Sequence, residues 1–357
     1  MDQPSDVAVA LSGGVDSSLA AVVLKTAGWE VYGVHFLLPS PSSVADDRIE
    51  GVTKVTGYLG IPLEIIDLRD DFENLVVHPF VDAYLKGLTP NPCVSCNPLI
   101  KFERLYRYVL ENEIHCLATG HYVRLRKGEE EEGMGLLRGR DSKKDQSYFL
   151  HRLGQTSLSK AVFPLGEMTK DEVRLQACDM GLPCHSNPES QEICFISGMD
   201  YRRFVEQRQG VMARKNGAII NREGEVLGEH QGIHGYTIGQ RHGLGIASSR
   251  PYYVKEIRPE VNQVVVGRKE ELFSVTVDTE DFSWIGRPLP KGVFKAQAQI
   301  RYRHKAAPGL LEVLSPEEVR FIFDKPQWAV TPGQALACYD GERLLGGGWI
   351  AKGYLLS

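Results

Sequence analysis

Leu11-Ser12-Gly13-Gly14-Val15-Asp16-Ser17-Ser18 stands where a short apolar run, Val7–Leu11, gives way to Asp16–Ala27, a stretch of helical composition stopped by Gly28. Strand, glycine loop and helix in that order bring backbone N–H groups and the positive end of the helix dipole onto one anion. The glycines let the backbone approach closely, and Ser12, Ser17 and Ser18 add hydroxyl donors. No Gly-Lys-Ser/Thr ending follows, so the loop itself sets no lysine on a γ-phosphate. The reading is therefore pyrophosphate recognition, with AMP passed to a substrate oxygen and Asp16 helping to bind Mg²⁺. The plain alternative is a glycine turn in any Rossmann-like sheet, which the added Asp and Ser residues disfavour.

Outward from the loop, apolar runs Val31–Leu38, Leu63–Leu68 and Cys116–Gly120 alternate with helix-like stretches Asp46–Tyr58, Asp70–Leu85 and Leu99–Glu113. Strands separated by helices imply a parallel sheet covered on both faces. Lys127 to Gly135, with Glu129–Glu132, reads as the solvated tip of a hairpin. Thr169-x-x-Glu172 has capping-box spacing and opens a helix to about Met180. After Ile196 and one helix, Tyr201–Gln207, the chain turns all-β. Five glycines in Gly232–Gly245 mark a tight or movable connector, and Tyr252–Val266 reads as a hairpin. Strands Val275–Asp278, Ala296–Tyr302, Gly309–Leu314, Val319–Phe323, Ala335–Tyr339 and Leu344–Ala351 recur at the spacing of a small antiparallel barrel. The expected fold class is α/β, a Rossmann-like sheet over 1–197, followed by a mainly-β connector domain over 198–268 and a C-terminal antiparallel β-barrel over 269–357.

With 357 residues the chain can bury a sizeable core. No apolar run approaches the roughly 20 residues that span a bilayer, and the start is polar, so a cytoplasmic setting is expected. Residues 1–197 carry 19 Lys and Arg against 28 Asp and Glu, net −9, whereas residues 198–357 carry 22 against 18, net +4. That asymmetry fits an acidic catalytic domain joined to a region that meets phosphates, or merely two surfaces solvated differently. Seven cysteines, at 93, 96, 116, 178, 184, 194 and 338, without a secretory leader argue for thiols, ligands or nucleophiles rather than a disulfide framework.

Two of the cysteine sites carry chemistry. Thr89-Pro90-Asn91-Pro92-Cys93-Val94-Ser95-Cys96-Asn97 is a rigid segment expected just ahead of the helix containing Lys101, where a helix N-terminus lowers a thiol pKa. Gln191-Glu192-Ile193-Cys194-Phe195-Ile196 is the other. Both would meet over the carboxyl edge of the sheet, where the phosphate loop also opens. With Ser12–Ser18, Thr89–Phe102, Ala118–Tyr122, Lys144–Leu150, Phe163–Glu172, Glu192–Phe195, Tyr236–Gly245, Gln299–Arg303 and Ala329–Gln334, the chain resembles, over nearly its whole length, the bacterial tRNA-specific 2-thiouridylases of the PP-loop ATP pyrophosphatases.

The resemblance implies that Ala10, Leu11, Ser12, Gly13, Gly14, Val15, Asp16, Ser17, Phe36 and Gly120 contact ATP. It implies that Asn91, Pro92 and Cys93 lie against the target base, and that Cys96 and Cys194 are the catalytic thiols. It assigns tRNA contacts to His121, Lys144, Asp145, Gln146, Arg301, Tyr302 and Gln334, and the expected product is 2-thiouridine at the wobble position. The residues speak for some of this themselves: Arg301-Tyr302-Arg303-His304-Lys305 interleaves cations with rings, suited to phosphates and splayed bases, or to a solvated strand with buried rings. His121 alone reads as a core histidine, and Lys144-Asp145-Gln146 as an ordinary helix start.

One position departs from familiar members, which carry aspartate where this chain has Cys93. Cys93, Cys96 and Cys194 would then hold a [4Fe–4S] cluster at three irons and leave the fourth for hydrosulfide. The alternative is a persulfide on Cys194, received from a relay protein or another sulfur donor, with Cys96 attacking it. Structural zinc using Cys178, Cys184 and His185 fits knuckle spacing poorly, and a dithiol oxidoreductase does not open with a nucleotide loop. The connector Leu38–Asp46 is shorter than its counterpart in familiar members. Two other functions compete: a PP-loop amidotransferase synthetase, which needs an N-terminal Cys nucleophile where residue 2 here is Asp, and a non-catalytic RNA-binding protein.

Overall fold

A computed structural model describes residues 5–40, 42–128, 133–183, 193–196, 198–210, 214–286 and 291–355. The chain lays down β1 (Asp6–Ala10), β2 (Glu30–Leu37), β3 (Leu63–Asp67) and β4 (Cys116–Ala118), forms a hairpin from β5 (Val123–Lys127) and β6 (Met134–Arg138), and returns with β7 (Ala161–Val162). The first sheet runs β3-β2-β1-β4-β7, every pair parallel. Val7, Ala8 and Val9 are wholly buried, covered on both faces, which is why the strand reads as an unbroken apolar run. Strand order reverses between β1 and β4. The connections diverge there and leave a crevice beyond the carboxyl ends, flanked by Leu11–Gly14 on one side and Thr119–Gly120 on the other.

The helices follow the expected stretches with two informative changes. The segment expected over Leu99–Glu113 begins seven residues earlier, running Pro92–Cys96, a π-helical turn Asn97–Phe102, and Glu103–Glu111. Asn91 caps it and Pro92 presets the first helical φ, so the cysteine segment is helix rather than lead-in. A second π turn, Glu73–Val77, interrupts the helix expected over Asp70–Leu85. The helix Lys170–Asp179 carries both halves of the capping box between Thr169 and Glu172. Strand β7, two residues long, is too short to leave a periodic signal.

Beyond Tyr201–Gln209, β8 (Gly217–Ile220), β9 (Val226–His230), β10 (Tyr253–Arg258) and β11 (Gln263–Gly267) form a sheet ordered β10-β11-β8-β9 over Ile219, Val254, Val264 and Val266. Then β12 (Phe273–Trp284), β13 (Val293–Gln299), β14 (Ala307–Ser315), β15 (Glu318–Trp328), β16 (Ala335–Asp340) and β17 (Arg343–Leu355) run β12-β15-β14-β13-β16-β17, and β17 pairs back onto β12 to close an antiparallel barrel. The strand expected over Ala296–Tyr302 ends at Gln299, so Arg301–Lys305 lies in a turn. Glu129–Glu132 lies outside the described residues, but its flanking hairpin joins the barrel sheet, with Leu136 opposite Leu344. One hydrophobic core accordingly spans both units, from Ala8, Phe102 and Leu117 to Ala335, Tyr339 and Leu344. Among the described residues no helix is long and apolar enough to cross a membrane.

Candidate active site

The loop after β1 is fastened by its own hydroxyls. Leu11 N–H extends the ladder to Val34 O at 2.8 Å, and Gly13 adopts φ +80°, a conformation that costs glycine nothing. Ser12 N–H donates to Ser17 Oγ at 3.1 Å, and the Ser17 and Ser18 hydroxyls donate to Gly14 O at 3.2 and 2.9 Å. Gly14 is the N-cap of helix Val15–Thr26 and no side chain caps it. The first-turn N–H groups are therefore available to an anion in the crevice. A Cβ on Gly120 would stand 2.8 Å from Asp16 C and Ser17 N, so the loop after β4 lies directly on this helix turn and only glycine fits. Ala10 ends β1 opposite Val34. Phe36, near the end of β2, packs on the cores beneath both the loop and the cysteines.

Asp16, expected to help bind Mg²⁺, is held by two partners in this structure. Lys170 Nζ donates to both its carboxylate oxygens at 2.7 and 2.8 Å, and the Tyr122 hydroxyl donates to Oδ1 at 2.6 Å. Among the described residues no three His, Cys, Asp or Glu side chains group closely enough to hold a metal ion. The lysine missing from the loop is instead delivered by the fold, from the first position of the capped helix. The capping box showed where that helix starts, but not which loop its first residue would face.

Cys96 is buried among Phe72, Phe80, Ile100 and Phe195, and Cys194 packs on the same cluster. Phe195 is the anchor: its ring meets Phe72 and Phe80 edge-on at 5.6 and 5.3 Å. Two segments nearly a hundred residues apart thus bring their thiols together. Asn91 Oδ1 accepts Cys93 N–H at 3.2 Å, and Asn97 Nδ2 donates to Cys93 O at 3.0 Å, which fixes the first helical turn. The expected low thiol pKa is reversed. Burial pushes Cys96 up to about 12 and Cys93 upward as well, outweighing the opposing pull of the Lys101 ammonium, while Cys194 adds a further push. Cys93 is open to solvent along its surface yet hemmed by protein, which is how an exposed residue still loses hydration. The expected three-thiolate ligand set on Cys93, Cys96 and Cys194 is not assembled among the described residues. Cys184 and His185 lie outside them.

The residues assigned to tRNA fall into two groups. Arg301, Tyr302 and Gln334 come from the barrel, and Gln334 reaches the start of the cysteine segment. Gln334 Nε2 donates to Thr89 O at 2.8 Å, and Tyr302 packs on Phe149 with centroids 4.3 Å apart and the rings tilted by 39°. Arg301 Nη1 reaches Trp328 O at 3.3 Å, half-buried, and burial lowers its pKa. Tyr148, not singled out by its residue type, ties these together by donating to Ala335 O at 3.0 Å and meeting the Asn91 side chain. The second group is committed inward. Asp145 accepts from Arg138 Nη1, Gly139 N–H and the Ser147 hydroxyl at 2.8 to 3.1 Å, and Gln146 Oε1 accepts Tyr122 N–H at 2.9 Å. Lys144 N–H donates to Asp141 O at 3.0 Å within the same turn. His121 Nδ1 lies 2.8 Å from Thr119 Oγ1, and burial holds its pKa down at about 3, so it is a neutral ring and not a phosphate-pairing cation.

Residues 5–198 match the family model described as tRNA methyl transferase HUP domain, 202–268 its PRC-barrel domain, and 274–350 an aminomethyltransferase β-barrel domain. The chain is 43% identical to the tRNA-specific 2-thiouridylase of Carboxydothermus hydrogenoformans, covering 97% of each chain. It is 45% identical to that of Desulforudis audaxviator, covering 97% of this chain and 98% of the relative. Among solved structures, the U34-tRNA thiolase from Methanococcus maripaludis with its [4Fe-4S] cluster aligns at TM-score 0.35 and 21% identity, over 59% of this chain and 69% of that one.

Proposed function

The chain belongs to the family of tRNA-specific 2-thiouridylases, and from that premise we propose that it thiolates the wobble uridine of tRNA at C2, in the cytoplasm, using ATP. The observation supporting this reading is that Cys96 and Cys194 share one aromatic cluster with Phe36 and Ile66 of β2 and β3, in the same parallel-sheet unit whose first strand ends in the hydroxyl-fastened glycine loop. Uridine O2 attacks the α-phosphorus, the bond to the bridging oxygen breaks, and pyrophosphate leaves with that electron pair. The helix-turn N–H groups, Ser12, Ser17 and Lys170 hold the departing anion. A carbonyl oxygen is a poor leaving group, and AMP is a good one. Sulfur then attacks C2, the C2–O2 bond breaks, and AMP departs.

Two thiols suffice for the persulfide route. The terminal sulfur on Cys194 bonds to C2, and Cys96 thiolate attacks Cys194 Sγ. The sulfur–sulfur bond breaks, its electrons complete the thiocarbonyl, and a Cys96–Cys194 disulfide remains for an external thiol to reduce. The shared cluster around both cysteines supports this route. A [4Fe–4S] cluster would bind hydrosulfide at an open iron, but three gathered thiolates are not found among the described residues, and no step here depends on one. For the persulfide route the source is a donor or relay protein that already carries a persulfide: the Cys194 thiolate attacks its outer sulfur and the donor's thiol leaves, whereas free sulfide, which cannot form a persulfide without an oxidant, would serve only as hydrosulfide on a cluster.

Mass spectrometry of tRNA nucleosides after incubation with ATP and either a persulfide donor or sulfide, with and without iron–sulfur reconstitution, tests the reading. Thiouridine formed by iron-free protein would exclude the cluster. Absence of tRNA-stimulated pyrophosphate release would instead favour a non-catalytic RNA binder.

A further inference from the structure

A cleft of about 420 Å³ opens to solvent in the middle unit, enclosed by a single stretch of chain from Arg241 to Tyr252 that curls around it. Its cations are Arg241, Arg250 and, behind them, Arg268, and no acidic residue lines it. Arg241 and Arg250 are exposed and neither has an ion-pair partner among the described residues. In a chain with formal net charge −5, this concentration of unpaired positive charge is out of proportion.

The cleft is built rather than accidental. Arg268 lies 3.7 Å over the Tyr252 ring and its Nη1 donates to Arg250 O at 2.6 Å, which braces the rim and leaves a flat ring supported from below. Gly243 and Gly245 take φ +76° and +67°, turns that hold the wall open where a side chain would be strained. The wall also starts from a fixed point. A Cβ on Gly239 would meet Ala329 Cβ at 2.9 Å and Trp328 Cη2 at 3.0 Å, so the connector is seated on the barrel. Trp328 O is the atom that Arg301 reaches, and Thr237, two residues earlier, has its hydroxyl 3.4 Å from that of Thr89. The connector that leads into the cleft is thus seated beside the barrel residue that Arg301 reaches, and Thr237 on it lies against Thr89, at the head of the cysteine segment.

We propose that this cleft receives the sugar–phosphate backbone of the tRNA whose uridine lies at the cysteine segment, with Arg241 and Arg250 pairing phosphates and the braced Tyr252 ring packing on a ribose or base. Guanidinium groups suit phosphate through paired N–H donors, and a supported ring suits an RNA surface without sequence preference. The inference rests on tRNA being the substrate, and it adds a second anchoring point beyond the barrel and the target-base segment.

The test is equilibrium binding of unmodified tRNA to the full chain, wild type against Arg241→Gln/Arg250→Gln, between 0.05 and 0.3 M salt. Two lost phosphate contacts should flatten the slope of log K against log salt by about 1.8 and weaken binding about 30-fold at 0.15 M, each contact following roughly the 0.9 power of salt. Arg241→Gln alone, at an exposed side chain with no ion-pair partner, should flatten the slope by about half as much, and it serves if the double variant folds poorly. Wild-type slope and affinity in both variants would overturn the proposal, as would intact tRNA affinity with lost binding of an acidic sulfur-relay protein. Failure of the wild-type chain itself to bind tRNA would instead remove the functional reading beneath it.

Discussion

Replacing Lys170 with Met separates two roles that the Asp16–Lys170 pair combines. Lys170 is 7% exposed and Asp16 36% exposed, with both carboxylate oxygens within 2.8 Å of the ammonium. Breaking a fully buried pair by removing one partner costs about 3–5 kcal/mol, and an exposed pair is worth about 0–1. Asp16 keeps the Tyr122 hydroxyl and a third of its surface in water. The expected loss for Lys170→Met is therefore intermediate, about 2–3 kcal/mol, or roughly 5–10 °C in the midpoint of a domain of this size. Asp16→Asn/Lys170→Met removes both charges and should recover much of that loss. Pyrophosphate release should behave differently: it should fall by at least about 100-fold in both variants, because the departing anion loses its cation either way. Thermal unfolding with a double-mutant cycle reads the first effect, and a coupled pyrophosphate assay reads the second. A Lys170→Met midpoint within about 0.5 kcal/mol of wild type, with unchanged pyrophosphate release, would refute this account of the pair.

Gly120→Ala drives a methyl to within 2.8 Å of the Asp16–Ser17 backbone; it should weaken ATP binding at least tenfold, measured by calorimetry, at a stability cost of about 1–3 kcal/mol. Cys194→Ala should leave tRNA-stimulated pyrophosphate release intact while abolishing thiouridine, and thiouridine at wild-type yield would contradict that division of labour. Cys96, with its pKa pushed up to about 12, should be alkylated slowly at neutral pH and about tenfold faster per pH unit until near 12, as followed by peptide mass spectrometry with iodoacetamide. His121 is held near 3, below its ordinary 6.5, so the neutral ring's contribution is complete above 6.5 and is lost as pH falls toward 3; His121→Gln should blunt the decline in urea midpoint across that window.

The parallel sheet and the barrel were legible because each strand is an apolar run bounded by turn residues, and burial on both faces or one leaves that pattern in the chain. Capping was legible for the same local reason: Thr169 and Glu172 satisfy each other's backbone three residues apart. What could not be read was anything decided by distant packing. The thiols at 93 and 96 sit at a helix start, a local cue for acidity, but Phe72, Phe80 and Phe195 strip water from the site and reverse the sign. Likewise the partner of Asp16 could not be read locally, because Lys170 meets it only after the chain has laid down the four remaining strands of the sheet. Asp145 and Gln146 carry polar groups that a sequence offers to any partner; the fold spends them on Arg138, Ser147 and Tyr122. The strand expected to run on to Tyr302 stops at Gln299, because the apolar and polar alternation that marks a pleat does not show where a turn takes over.

The hairpin of β5 and β6 has a consequence during synthesis. Its outer partner, β17, follows the whole of β7 to β16 in the chain, so the Leu136–Leu137 edge that will pair with Arg343–Leu344 waits unpaired until all of them have been made. A nascent chain, or one cut short by premature termination, would present this edge as a template for a neighbouring chain. Loss of the last strand would therefore register first as aggregation of an otherwise assembled nucleotide domain, and only second as loss of RNA contact.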